Sequence, residues 1–221
     1  MKNQAVIIDT ETHSRINPIP IEIAWFNPIT NESFNSRYNP GVLITLGALS
    51  VHHILDEELE RLPHPSTFKI PDDVGYFIAH NCQFDYGALG SPEGIKQICT
   101  LALARKYLPE LDSHSQSALT YYFFRNEAKE MLKQAHSALA DVTNLHKLLI
   151  RMRELEIWPR CKNWEELYLL SEQAKIPDSW TFGKHKGKLL SDAPKDYREW
   201  YLKLPEQDQD SYLVKALKGI K

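Results

Sequence analysis

The sequence contains little cysteine, no long apolar run and no strong excess of either charge. Its three cysteines form no C-x-x-C pair, so neither a disulfide framework nor a zinc knuckle is indicated. Apolar runs such as residues 5–8 are far shorter than the roughly 20 residues of a membrane helix, and no signal sequence opens the chain. We therefore expect a cytoplasmic protein that does not associate with membranes.

The charges are nearly balanced, since 26 basic residues stand against 29 acidic ones. This balance argues against a basic coat that binds nucleic acid indiscriminately. The distribution is uneven: residues 1–149 carry 12 basic and 17 acidic residues, and residues 150–221 carry 14 and 12. The acidic excess lies in the larger front part, where clustered carboxylates can hold metal ions.

The order of the predicted elements is that of an α/β protein. Short apolar runs predict strands at 2–8, 20–26, 32–39 and 74–79, and short helices at 46–54 and 56–62. From residue 85 onward strands and helices alternate, and 138–153 has the apolar stripe of a core helix. This order predicts a mixed sheet flanked by helices.

The pattern breaks at Trp158 and Pro159. We therefore divide the chain into a domain at 1–157 and a small C-terminal module at 163–221. The module contains predicted helices on either side of a segment rich in glycine and lysine.

Three carboxylates follow predicted strands. Asp9 and Glu11 lie two residues apart, so their side chains emerge on one face while Thr10 points to the other. A D-x-E pair alone also fits a solvated strand end. Asp85 follows the strand at 74–79, at the sheet edge where ligands of α/β proteins gather, although capping of the next helix is an alternative role.

His136 and Asp141 lie at the start of the long helix predicted from residue 138. Ser137 is the expected N-cap, which leaves His136 just outside the helix and Asp141 in its first turns. A fixed acid beside a movable base is the expected result.

D-x-E at 9–11, H-N-x-x-F-D at 80–85 and H-x-x-x-x-D at 136–141 together resemble the signature of the DEDDh exonucleases. The resemblance covers about residues 4–152, although Thr-His-Ser follows the first motif at 12–14 where relatives commonly have Thr-Gly. It implies a ribonuclease H-like fold with a mixed five-stranded sheet. It also implies a metal-dependent 3′–5′ exonuclease that releases nucleoside 5′-monophosphates.

The resemblance further implies the roles of the site residues. Two Mg²⁺ or Mn²⁺ ions would be held by Asp9, Glu11, Asp85 and Asp141. Asp9 would bridge the ions, Glu11 and Asp141 would serve the one that orients the attacking water, and Asp85 the one at the leaving 3′ oxygen. His136 would be the general base. Substrate contacts are expected from Thr10, Thr12, His80, Asn81 and Phe84.

Segments between residues 180 and 200 resemble the small C-terminal module of exonuclease X-like proteins. Lys184, Lys186 and Lys188 alternate on a predicted Gly-bounded hairpin beside Trp180. Cations next to aromatic rings suit phosphates and unstacked bases. A solvated turn over a small aromatic core is the alternative.

The partner implied by the resemblance is nucleic acid, with DNA preferred to RNA and with a role in DNA repair. A polymerase-associated proofreading exonuclease and an exoribonuclease are the alternatives within the same superfamily. A binding module that has lost catalysis is the alternative of another class, but all five signature residues are present. A homodimer and repair or replication proteins are further candidate partners.

Overall fold

The computed structural model describes residues 2–133, 135–180, 182–205 and 208–220, and the chain divides into two compact units, Met1–Ser171 and Glu172–Lys221. The first unit contains a five-stranded sheet with the spatial order β3-β2-β1-β4-β5. Its strands are β1 (Gln4–Thr12), β2 (Pro20–Phe26), β3 (Ser33–Arg37), β4 (Val74–Ala79) and β5 (Lys96–Cys99). The pairs β1–β2 and β2–β3 are antiparallel, whereas β4 is parallel to β1 and β5. The expected mixed α/β sheet is confirmed.

Burial along the strands follows their place in the sheet. Every residue of β4 is buried, as expected for a central strand covered on both faces. The edge strand β3 has no buried residue. Val6 and Ile8 of β1 pack with Phe77 of β4 in the main core. The central strands therefore form a rigid base for side chains at their carboxyl ends.

Helices cover the sheet. They are α1 (Leu46–His52), α2 (Cys82–Ala88), α3 (Thr100–Tyr107), α4 (Gln116–Phe124), α5 (Ala128–Met131) and α6 (Ala138–Glu154). The long helix α6 packs on β1 and β2 and buries Val142, Leu145 and Leu148, which confirms the apolar stripe predicted for 138–153.

The helix predicted at 56–62 is wrong. Only Asp56–Glu58 forms a 3₁₀ turn, in which the Leu55 N–H donates to the Glu58 carboxylate over 2.8 Å. Pro63 and Pro65 follow closely, and proline cannot donate the backbone hydrogen bonds that a longer helix needs. A second 3₁₀ turn, Pro65–Thr67, continues the irregular crossing.

The second unit is built around Trp180 and Tyr201, which are almost completely buried. It contains α8 (Lys195–Leu202), α9 (Ser211–Lys218) and the 3₁₀ turns Gly183–His185 and Leu190–Asp192. Helix α7 (Trp164–Ala174) begins in the first unit, where Ser171 Oγ accepts a hydrogen bond from Cys99 N over 2.8 Å. The compact units thus divide at Ser171, whereas the sequence pattern breaks at 157–163. The division into a domain at 1–157 and a module at 163–221 stays a prediction. Within the described ranges, no helix is both long enough and apolar enough to cross a membrane.

Candidate active site

The carboxyl end of β1 presents two carboxylates on one face. Asp9 and Glu11 are both half-buried and are separated by one residue, so the alternation of the strand points them to the same side. On the neighbouring strand β2, Glu22 lies directly opposite Glu11. Residues directly opposite in an antiparallel pair project to the same face. Three acidic side chains therefore come from two adjacent strands.

Asp85 belongs to α2 and is held by β1. It is 3% exposed, and its Oδ1 accepts hydrogen bonds from the Thr10 backbone N–H over 3.0 Å and from the Thr10 hydroxyl over 2.8 Å. Thr10, which we expected to contact substrate, is itself buried. The backbone N–H and the hydroxyl of Thr10 orient the Asp85 carboxylate. Thr10 is therefore a positioning residue, a role that the sequence motif does not reveal.

The start of α6 holds His136 and Asp141 together. Ser137 occupies the N-cap position as predicted, and His136 lies just outside the helix with a left-handed backbone (φ 69°). The His136 backbone N–H donates to Asp141 Oδ2 over 3.0 Å. From α4, the side-chain amide of Gln116 donates to the Asp141 carbonyl over 2.9 Å. Asp141 is therefore fixed from two sides, while the His136 side chain is exposed.

Three candidate metal-ligating side chains meet at this place. Among the described residues, Glu11, His136 and Asp141 each offer a ligand atom, and these atoms lie within 4.8 Å of one another. The strand motif and the helix motif, which are more than a hundred residues apart in sequence, are thus brought to one point. The His136 ring is therefore close enough to both carboxylates to join them in holding a cation.

The electrostatics of the site favour a cation. Burial raises the pKa of the Asp9 carboxyl well above its ordinary range, and neighbouring carboxylates, Asp85 first among them, raise it further. Burial, followed by the charge of Asp141, raises the pKa of Glu11 to about 8. The four-carboxylate set resists ionisation on its own, so bound positive charge stabilises its ionised form.

Asp85 and Asp141 show the same effect, opposed by their hydrogen bonds. Burial raises the pKa of Asp85 to about 7, although the two hydrogen bonds from Thr10 lower it. Burial also raises the pKa of Asp141, and the backbone hydrogen bond from His136 opposes this shift. Oxygen donors of this kind fit a hard divalent cation.

The other residues expected to contact substrate differ in how available they are. Asn81 is exposed and Phe84 is half-buried at the start of α2, with Asn81 in a left-handed conformation (φ 73°). The Thr12 hydroxyl donates to the Ser14 carbonyl over 2.9 Å. His80 Nε2 donates to the His114 carbonyl over 2.8 Å, and its Nδ1 lies 3.0 Å from the Thr100 hydroxyl. Burial lowers the pKa of His80 to about 4, so this ring is neutral at physiological pH.

The three lysines of the expected hairpin belong to the second unit. Backbone hydrogen bonds join Trp180 N to Lys188 O and Gly187 N to Trp180 O, and a 3₁₀ turn closes the loop. The Lys184 ammonium lies 5.0 Å from the centre of the Tyr197 ring. Trp180 is 1% exposed, so the small aromatic core is present. Trp200, which lies next to Tyr197, is 49% exposed.

Sequence reasoning missed the residues that hold the signature side chains in place. The sequence motifs assign no role to Gln116 or Glu22, although both contact the region of α6 that carries His136 and Asp141. A usable signal exists for Glu22, since it is a charged residue inside the otherwise apolar run Pro20–Phe26. A buried charge in a strand indicates a specific partner.

Comparison with known proteins identifies relatives along most of the chain. No family model matches. Exodeoxyribonuclease 10 of Escherichia coli K12 is 30% identical over 202 residues, with 88% of each chain covered. A solved exonuclease X in complex with 5′ overhanging duplex DNA is 25% identical, has a TM-score of 0.58 and matches 76% of this chain and 99% of its own. The nuclease domain of 3′hExo, a DEDDh family member bound to rAMP, shares the fold at 15% identity, with a TM-score of 0.53 and 72% and 96% of the two chains covered.

The fold and these relatives define a 3′–5′ exonuclease of the DEDDh superfamily, whose members use divalent metal ions. The protein is therefore a phosphodiester hydrolase rather than a binding module without catalysis. Within the superfamily the chain belongs to the family of exodeoxyribonuclease 10, also called exonuclease X.

Proposed function

We propose that the chain hydrolyses DNA from its 3′ end at the acidic site formed by β1, α2 and α6, with two Mg²⁺ or Mn²⁺ ions. The observation that carries this proposal is the approach of Glu11, His136 and Asp141 within 4.8 Å. The choice of DNA is supported by the relatives, one of which is named an exodeoxyribonuclease and another of which is solved with duplex DNA.

The four carboxylates would hold the ions. Asp9 would serve both ions, Glu11 and Asp141 one of them, and Asp85 the other. When bound, the ions supply positive charge against the phosphate and the leaving 3′ oxygen. Thr10 keeps the Asp85 carboxylate in one orientation through its two hydrogen bonds. The backbone N–H of His136 does the same for the Asp141 carboxylate, and the Gln116 amide holds the backbone carbonyl of Asp141.

His136 would act as the general base. A ring nitrogen accepts a proton from the attacking water, whose oxygen forms a bond to phosphorus while the bond to the 3′ oxygen breaks. The products are a nucleoside 5′-monophosphate and a chain shortened by one nucleotide. The His136 ring is exposed, and the hydrogen bond to Asp141 fixes the His136 backbone. The ring can therefore reach substrate from a fixed position.

Asn81 and Phe84 would bind substrate beside the acidic site, since their side chains are accessible at the start of α2. An aromatic ring offers a stacking surface to a terminal base, and an amide offers hydrogen bonds. Thr12 and His80 would support Asn81 and Phe84 rather than bind substrate themselves, since their polar atoms bind other parts of the protein.

The second unit would bind the phosphates of longer substrates through Lys184, Lys186 and Lys188. No acidic residue occurs between Asp178 and Asp192 in the sequence, so this loop is uniformly basic. The half-exposed Trp200 ring lies on the same unit. Charge complementarity with phosphate and an aromatic face for an unstacked base support this role.

Digestion of matched DNA and RNA oligonucleotides tests the proposal. Each substrate is labelled at its 5′ or 3′ end and incubated with Mg²⁺, Mn²⁺ or EDTA. We expect mononucleotides from the 3′ end of DNA with either ion and none with EDTA. Preferential digestion of RNA would favour the exoribonuclease alternative, and activity that requires a co-purifying polymerase would favour the proofreading alternative. A homodimer, repair or replication partners and a cytoplasmic location stay predictions.

A further inference from the structure

Glu22 is a buried carboxylate that joins three elements of the first unit. It lies on β2 and is 2% exposed. Its Oε2 accepts a hydrogen bond from the backbone N–H of Ala138 over 2.9 Å. Its Oε1 accepts one from Arg37 Nε on β3 over 3.2 Å. Arg37 in turn binds Glu58 over 2.8 Å.

The Ala138 N–H is the first backbone donor of α6. The first turn of any helix leaves such donors without partners inside the helix. Here the partner comes from the sheet, 116 residues earlier in the chain. His136 lies two residues before Ala138 and Asp141 three residues after it. The contact therefore anchors the short segment that carries both side chains.

The charge of Glu22 is unfavourable for the rest of the site. It contributes to the raised pKa values of Asp9, Glu11 and Asp141. An apolar residue at this buried position would avoid that repulsion, and a buried charge is often replaceable by an apolar side chain with no loss of stability. Both of its oxygens have partners in the protein, the Ala138 backbone N–H and the Arg37 side chain. A function other than stability accounts best for its presence.

We propose that Glu22 is a positioning residue: by holding Ala138 N–H it sets the distance of His136 and Asp141 from Glu11. The inference rests on the site assignment made under the proposed function. Arg37 holds the second oxygen and keeps the carboxylate aimed at α6. Since α6 packs on β1 and β2, release of this contact leaves the helix in place but frees its first residues to shift. A misplacement of about 1 Å near a reacting group lowers turnover by about 10²-fold.

The test uses the full chain with Glu22→Gln and Glu22→Leu, and with Glu57→Gln as a matched control at an exposed glutamate. Glutamine keeps a carbonyl oxygen for Ala138, whereas leucine has similar bulk and no acceptor. We expect Glu22→Leu to lower kcat by about 10²-fold with little change in KM for a short oligonucleotide, and Glu22→Gln to restore kcat to within about threefold of wild type. Hydrogen exchange of the Ala138 amide rises in Glu22→Leu alone, and circular dichroism checks folding.

Removal of the donor gives an independent arm. Ala138→Pro deletes the same hydrogen bond at the first helical position, where proline is well tolerated, and the preceding Ser137 already has the extended backbone that proline requires. We expect the same loss of kcat, and no further loss when it is combined with Glu22→Leu. Wild-type kcat in folded Glu22→Leu or Ala138→Pro overturns the inference if Asp141→Ala is inactive in the same assay. Activity in Asp141→Ala would instead overturn the site assignment itself.

Discussion

Thr10 holds Asp85 with two donors at once: its backbone N–H and its hydroxyl reach the same carboxylate oxygen over 3.0 and 2.8 Å. The residue between Asp9 and Glu11 points away from their face and yet serves the same site, because α2, which carries Asp85, packs on β1. The strand thus contributes two side chains to the acidic face and orients a third carboxylate from a neighbouring helix.

Thr10→Val should weaken catalysis without unfolding the protein. The variant keeps the backbone hydrogen bond to Asp85 and loses the one from the hydroxyl, so the carboxylate is less well oriented and its pKa rises further. Loss of an outer hydrogen bond to a metal-binding group commonly reduces metal affinity by about 10-fold to 100-fold. Titration of Mg²⁺-dependent activity measures this shift. Thr143→Val, whose hydroxyl donates to the Leu139 carbonyl inside α6, is the control.

Asp9→Ala and Asp141→Ala should abolish turnover while the protein stays folded. Each variant removes a group assigned to metal, but it also removes one charge from a set of mutually repelling carboxylates. The metal-free variants should therefore be at least as resistant to heat as the wild type. Circular dichroism and a nuclease assay check both statements. Mg²⁺-dependent activity above a small fraction of wild type in either variant would contradict the assignment.

His136→Ala tests whether His136 acts as a general base or as a metal ligand. If His136 only accepts a proton, its loss lowers kcat by about 10²-fold or more, and Mn²⁺ binding is preserved. A ligand atom of the His136 ring lies within 4.8 Å of those of Glu11 and Asp141, so the ring is also close enough to act as a metal ligand. Calorimetric titration with Mn²⁺, next to the rate measurement, decides it. Loss of Mn²⁺ binding in the variant would assign His136 to the metal instead.

Stability of the metal-free protein should fall as pH rises. The pKa of Asp85 is raised to about 7 and that of Glu11 to about 8, both above the values of unfolded chains. Groups whose pKa is raised by folding add stability at low pH and lose it as pH increases through the folded-state pKa. The Tm in EDTA should therefore decrease from about pH 5, just above the pKa of unfolded carboxyls, to about pH 8 and then level off, and Mg²⁺ should offset the decrease.

Glu11→Gln supplies the control for that pH effect. The amide has no charge to gain, so the decrease in Tm should be smaller than in the wild type. An equal decrease in wild type and variant would show that groups outside this site control the pH dependence of stability.

Local patterns were sufficient to place four of the candidate site residues on their structural elements. The period of two along β1 placed Asp9 and Glu11 on one face, and the apolar stripe of α6 with Ser137 at its start placed His136 and Asp141 at a helix end. Both features depend on residues close in sequence, which is why they could be predicted.

The partners of those side chains could not be predicted in the same way. The contact from Glu22 to Ala138 and that from Gln116 to Asp141 join residues 116 and 25 positions apart. They depend on how α6 and α4 pack on the sheet, and no periodicity encodes such packing. The same limit applies to Thr10, for which the family resemblance implied substrate contact but whose donors face Asp85.

Replacement of Lys184, Lys186 and Lys188 together by alanine should weaken capture of long substrates more than cleavage of dinucleotides. The three cations lie on one loop of the second unit, and short substrates offer few phosphates to them. Each lost phosphate contact reduces the log-log slope of binding against salt by about 0.7 to 0.9. Binding of a long single-stranded oligonucleotide, measured in EDTA at several salt concentrations, gives this slope.

The matched control is the triple replacement of Lys203, Lys215 and Lys218, which removes the same charge from exposed positions elsewhere on the unit. It should change the salt slope far less, because those lysines are not grouped on the loop. Lys184 also packs over Tyr197, so Tm is measured for both triple variants to separate lost binding from lost structure. Equal losses on long and short substrates, or an unchanged salt slope, would mean that the loop only supports the aromatic core around Trp180. In that case the first unit would capture substrate without help from these lysines.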